Sequence, residues 1–143
     1  MRFMMLMIPN GYENATPGTL PDAEAVAAMM EYNKALQEAG VLLSLDGLHP
    51  PSMGARVTFA GGKPQVTDGP FTEAKEVLGG YWMIQVASRE EAIEWVKRCP
   101  PPFEGEAEIE IRQIYEASDF GAEFTPELRE QERHMRAEME RKR

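Results

Sequence analysis

Apolar positions along this chain come in two patterns, short unbroken runs and longer stretches with helical spacing. Phe3-Met4-Met5-Leu6-Met7-Ile8 contains no polar position, which marks a strand buried on both faces. Pro9 to Pro21 holds Asn10-Gly11 and Pro17-Gly18 and reads as loop. Thr19 or Asp22 then caps a helix with Ala25, Met29, Tyr32, Leu36 and Ala39 on one face, and Gly40 is placed to end it. Val41 to Leu48 is a second strand. Arg56-Val57-Thr58-Phe59 and Gln65-Val66-Thr67 flank Gly61-Gly62, a hairpin signal. With a two-residue turn there, Ala60 pairs with Lys63 and Ala55 with Asp68. Pro64 has no N–H to give, so its nitrogen faces outward or the hairpin is an edge. After Gly79-Gly80, Tyr81 to Val86 is again strongly apolar. Ser88 and Glu91 form a capping-box pattern for a helix carrying Ala92, Ile93, Trp95, Val96 and Cys99, which Pro100-Pro101-Pro102 stops. Glu106 to Tyr115 alternates, with Ala107, Ile109 and Ile111 to one side and Glu108, Glu110 and Arg112 to the other, as a half-exposed strand does.

The order is β-α-β, a hairpin insertion, then β-α-β. That predicts an α+β class and a ferredoxin-like fold, β-α-β-β-α-β with a β-hairpin insertion. In it the first and third main strands are central, and here they are the two most apolar runs. Helices cover only one face of such a sheet. A second copy of the chain is the simplest cover for the other face. Composition changes after Tyr115. Thr125 and Pro126 suit an N-cap and first helical position, and the remainder is dense in Glu and Arg with Leu128, Met135 and Met139 as a thin apolar stripe. The expected organisation is a ferredoxin-like domain over residues 1–118 and a charged helical extension over residues 119–143.

Charge and residue counts narrow the function classes. A net charge of -9 disfavours a general phosphate-backbone binder, so no direct nucleic-acid contact is expected. Cys99 is the one cysteine, which excludes an intramolecular disulfide and a Cys-based metal site. It follows an apolar helical face and reads as a buried structural thiol. His49 and His134 are far apart in the chain, and His134 sits in the charged tail as a solvated side chain. No metal site is therefore expected. No Walker loop, dinucleotide fingerprint or nucleophile elbow occurs, so no cofactor is expected. The apolar start from Phe3 to Ile8 is too short for a signal peptide and no membrane span is visible, which predicts a cytoplasmic protein.

Thr67-Asp68-Gly69-Pro70-Phe71 is a tight polar turn. Asp68 can bond backbone N–H groups just ahead of it, Gly69 permits positive φ, and Pro70 turns the residue before it away from helix. Together with Asp46-Gly47-Leu48-His49-Pro50, Thr72-Glu73-Ala74-Lys75-Glu76 and Gly79-Gly80-Tyr81-Trp82, this turn resembles the DGPF-motif branch of the YCII-related family, over Met1 to about Tyr115. The resemblance implies a ferredoxin-like chain that pairs into a dimeric α+β barrel, a His–Asp active site, and lyase-like activity in some relatives. Association with alternative sigma factors in others implies a non-catalytic, regulatory alternative.

His49 lies where the second strand ends. It reads either as a loop histidine or as a general acid or base, its ordinary pKa being near working pH. The hairpin register returns Asp68 to the end of the hairpin that adjoins the His49 loop, so a His49–Asp68 dyad is one reading and a pure turn role for Asp68 is the other. Phe71 is an apolar anchor after the turn and a candidate ligand contact. Glu73 and Lys75 read as a solvated short helix or as charges at a cleft mouth suited to an anionic substrate. Tyr81 and Trp82 read as core and interface. The expected ligand is a small polar metabolite, aromatic or acidic, with proton transfer or elimination as the chemistry.

Overall fold

The computed structural model describes residues 1–18, 20–71, 76–100 and 106–143. They form two compact units, Met1–Gln113 and Ile114–Arg143.

The first unit has the ferredoxin-like α+β topology. Strands β1 (Arg2–Pro9), β2 (Leu42–Gly47), β5 (Gly80–Gln85) and β6 (Ala107–Gln113) make an antiparallel sheet in the order β2-β5-β1-β6. The two apolar runs are its central strands, and the alternating strand is an edge. Strand parity divides the residues cleanly. Phe3, Met5, Met7, Trp82 and Ile84 are buried towards helices α1 (Ala23–Glu38) and α2 (Arg89–Lys97), with Ile109 and Ile111 packed against them. Met4, Leu6, Ile8, Tyr81 and Met83 lie on the opposite face and are half-buried. Glu108, Glu110 and Arg112 border that face, paired with Ile8, Leu6 and Met4.

The helices are set by the residues that the pattern singled out. The Asp22 carboxylate accepts from Ala25 N at 2.7 Å, so Asp22 is the α1 cap; the other candidate, Thr19, lies outside the described residues. Gly40 has φ +75 and follows the last turn, where Val41 N donates to Leu36 O at 3.2 Å, a left-handed helix stop that glycine makes without strain. Leu36 is fully buried and Tyr32 nearly so, whereas Ala39, expected on the same face, is the C-cap residue past the helix end and is exposed. Ser88 caps α2 by accepting from Glu91 N at 3.1 Å. Glu91 reaches back one residue further than a capping box requires and accepts from Ala87 N at 2.9 Å.

Tyr32 and Cys99 make this core sensitive to alkali. Burial, and secondarily a Cys99 thiolate, push the Tyr32 phenol well above its ordinary 10.0. Burial raises the Cys99 thiol from 9.0 to about 11. Both groups therefore stay neutral in the fold at pH values where the unfolded chain ionises them. Stability is unaffected well below pH 9 and falls as pH rises from about 9 towards 11. The urea midpoint should drop across that window, and Cys99→Ala should delay the onset of the drop. A flat midpoint up to pH 11 would show both groups to be better solvated than the fold implies.

The insertion is a separate two-stranded ribbon, β3 (Ala55–Ala60) and β4 (Lys63–Asp68). Its register is the expected one, Ala60 to Lys63 and Ala55 to Asp68, and Gly61 and Gly62 both have positive φ, as the two-residue turn demands. Both strands are edges, which admits Pro64. One face of the ribbon carries Ala55, Val57, Phe59, Pro64 and Val66, and Phe59 and Val66 are 81% and 69% exposed.

The second unit holds α3 (Pro126–Arg141), capped by Thr125, which accepts from Leu128 N at 3.3 Å. Its centre is not an apolar core but the Arg129 guanidinium. Arg129 donates to Phe124 O and Ala117 O at 2.8 Å each and to Phe120 O at 3.1 Å, and it lies over the Phe124 ring. Tyr115, Phe120 and Phe124 stack in series beside it. Tyr115 and Ala117 belong to this cluster, and the two compact units divide after Gln113. Ion pairs between Glu132 and Arg136, and from Glu130 to Arg133, line the helix. Among the described residues no helix is long and apolar enough to cross a membrane.

Candidate functional site

One end of the four-stranded sheet is held open by glycines. Gly80 pairs with Gly47, and a Cβ on Gly80 would stand 3.0 Å from Asp46 O. A Cβ on Gly79 would stand 2.7 Å from the Pro9 ring. With neither present, the end of β1, the end of β2 and the start of β5 converge. Gly79 N donates to Met7 O at 2.8 Å, Leu48 N to Gly79 O at 3.0 Å, and the Tyr12 hydroxyl to Leu48 O at 2.6 Å.

These backbones frame a cavity of about 590 Å³ within the first unit, a volume typical of small-molecule sites. Its walls are mostly apolar, among them Met7, Leu20, Met29, Leu45, Pro50 and Trp82. The polar groups that reach it are few: Asp46, His49, Tyr81, Tyr12 and Asn33. The Tyr81 hydroxyl donates to Asp46 Oδ2 at 2.9 Å. Trp82 Nε1 donates to Asn33 Oδ1 at 2.7 Å, which fixes the amide and the indole together. Burial raises the Tyr12 phenol above its ordinary range, so it remains a protonated donor. His49 is exposed, and among the described residues it has no hydrogen-bond or ion-pair partner. No group of three or more His, Cys, Asp or Glu among the described residues is arranged to hold a metal ion.

The candidates named from sequence scatter around this cavity. His49 lines it. Asp68 ends β4, exposed and paired with Ala55, and neither a hydrogen bond nor an ion pair joins it to His49. Phe71 is half-buried with the Arg56 guanidinium 4.1 Å above its ring, and it is not a wall residue. Glu73 and Lys75 lie outside the described residues. Gly69 is a correction: it is not among the glycines with positive φ. Its reason is contact, since a Cβ there would stand 1.7 Å from Pro51 O, and its N–H donates to Gly54 O at 2.9 Å. The turn thus seats against the loop that carries His49.

Asp46, Tyr12 and Asn33 are site residues that sequence reasoning does not single out, and Tyr81, read from sequence as core and interface, joins them on the cavity wall. A signal for two of them was present, because Asp46 and Tyr81 belong to segments flanking Gly47 and Gly79-Gly80. Pairing the strands through those glycines sets Asp46 opposite Tyr81. Tyr12 and Asn33 left no such signal, since a loop and a helix bring them in from elsewhere.

Comparison with known proteins gives two likenesses. The family model for the YCII-related domain matches residues 1–118. An uncharacterised protein of Rhizobium meliloti (strain 1021) is 32% identical over 77 residues, which is 54% of this chain. The match spans 62% of that relative's length.

Proposed function

We propose that this chain, which belongs to the YCII-related family, binds a small metabolite in the cavity beside His49 and uses that imidazole as a general acid or base without a cofactor. One observation carries the reading. An apolar cavity of about 590 Å³ receives a histidine, a hydrogen-bonded Asp46–Tyr81 pair and a half-buried phenol from three separate segments, and convergence of that kind is what a binding site requires and packing alone does not. An imidazole near the solvated rim can exchange protons with water between turnovers. Asp46, on the cavity wall with His49, is the carboxylate that supports it in this reading. Asp68 serves the turn, and the turn itself argues for the DGPF branch of the family.

The test is a metabolite panel followed by substitution of His49 and of the two carboxylates. A ligand at one hundred times its Kd stabilises by about 2.7 kcal/mol, an easily measured rise in Tm. Turnover of such a ligand should be lost in His49→Ala while its binding persists. Asp46→Asn should reduce that turnover more than Asp68→Asn does, because Asp46 shares the cavity wall with His49 and Asp68 does not. The reverse order would restore Asp68 as the partner, and unchanged turnover in His49→Ala would remove the imidazole from the chemistry.

We further infer that two copies associate. Supporting this are the half-buried Met4, Leu6, Ile8 and Met83 on the sheet face opposite α1 and α2 and the exposed apolar residues of the ribbon, since an isolated two-stranded ribbon is marginal in water. Sedimentation at micromolar concentration should give a dimer, and a stable monomer would defeat the inference.

A further inference from the structure

We infer that the cavity selects an apolar molecule carrying a protonated amine, with Asp46 as its counter-ion. This rests on reading the cavity as a small-molecule site. The argument is one of charge. Among the described residues that line the cavity, Asp46 is the one carboxylate, and no lysine or arginine is present. Tyr81 occupies Asp46 Oδ2. The second oxygen, Oδ1, keeps its capacity to accept, since a carboxylate has about four lone-pair sites. An anionic ligand would meet Asp46 with no described lysine or arginine on the wall to offset the repulsion. A neutral ligand would leave Asp46 with the Tyr81 hydrogen bond and no charged partner on the wall. An ammonium satisfies the carboxylate with a charge-assisted hydrogen bond.

Two further features point the same way. Tyr12, Tyr81 and Trp82 supply aromatic surface to the wall, which favours cations over anions. Glu13, on the helical turn that carries Tyr12, has its Oε2 buried with no hydrogen-bond partner among the described residues. It stands next to Tyr12 in a chain whose net charge is -9. The apolar body of the ligand is accounted for by Met7, Leu20, Met29, Leu45 and Pro50.

The test uses three probes with one aromatic body and different heads: tryptamine, tryptophol and indolepropionate. Calorimetry on the intact protein near neutral pH should rank them amine, alcohol, acid, with at least about tenfold between the first two, the factor expected of one charge-assisted hydrogen bond. Asp46→Asn should remove that tenfold advantage and leave tryptophol unchanged. Asp46 is exposed, so the variant should fold, and an unchanged circular dichroism spectrum verifies it. Equal or tighter binding of indolepropionate, or an amine affinity indifferent to Asp46→Asn, overturns the inference while the cavity remains a binding site. If none of the three binds but an anionic or neutral metabolite from the panel does, the cavity reading stands and the charge inference falls. If nothing in either set binds, both fall.

Discussion

Trp82→Ala should cost about 3–5 kcal/mol, the largest loss expected of any single substitution in the site. Trp82 is 6% exposed, sits on a central strand, meets the Tyr32 ring edge-on at 5.7 Å, and donates to Asn33 at 2.7 Å. Truncation removes a large apolar surface, the ring pair and the hydrogen bond together, and it merges the core void with the cavity. Urea denaturation measures the loss. Trp82→Phe separates the contributions: it keeps most of the packing and leaves Asn33 Oδ1 without its donor, so about 1 kcal/mol is expected because Asn33 is only half-buried. Ligand binding should nonetheless weaken in Trp82→Phe, since the amide on the cavity wall is then free to turn. A loss below about 1 kcal/mol for Trp82→Ala would show that the neighbouring helices collapse into the space, and that the cavity has soft walls.

The second large effect is expected at Gly69. Alanine there would place its Cβ 1.7 Å from Pro51 O and 2.7 Å from Pro51 C. Both are backbone atoms, so no rotamer change relieves the overlap. The turn and the His49 loop must separate, and the 2.9 Å bond from Gly69 N to Gly54 O is stretched or lost. Overpacking of this kind costs about 1–3 kcal/mol, and the upper end is expected. The readout that distinguishes this site from an ordinary tight spot is local. Amide shifts should change in the ribbon and in the segment from His49 to Gly54, and ligand affinity should fall, while the sheet centre around Met5 and Ile84 stays as it was. A stability within about 0.5 kcal/mol of the parent would mean that the turn is not seated on Pro51 in solution.

Both effects trace to features with different histories in the chain. Trp82 is visible in the sequence as part of an apolar run, and its burial follows from strand parity. Gly69 is visible as a turn glycine, but the natural reason for it, freedom to adopt positive φ, is not the reason it is there. Its neighbour Pro51 is eighteen positions away, and no local rule connects the two. In sequence the DGPF turn reads as a holder of a carboxylate. In the structure it seats against the loop that carries His49.

The sequence by itself determined the elements, their order and the two central strands. It also determined the ribbon's register, which needs only a two-residue glycine turn. Those properties are local or follow from a period of two or 3.6 residues, so they survive in one dimension. It placed His49 at the end of β2, where the cavity is. Tertiary structure alone decided which carboxylate shares that cavity. Asp46 reaches it because Gly47 pairs with Gly80 and brings Tyr81 across, whereas Asp68 stays out on the ribbon. It also decided that Tyr12 and Asn33 belong to the site, and that Arg129 rather than an apolar stripe organises the C-terminal unit. Each of these depends on distances between segments remote in the chain, set by how closely backbones can approach at residues that lack a Cβ. Spacing along the sequence does not carry that information, because the close approach is a property of two segments and each is silent about the other.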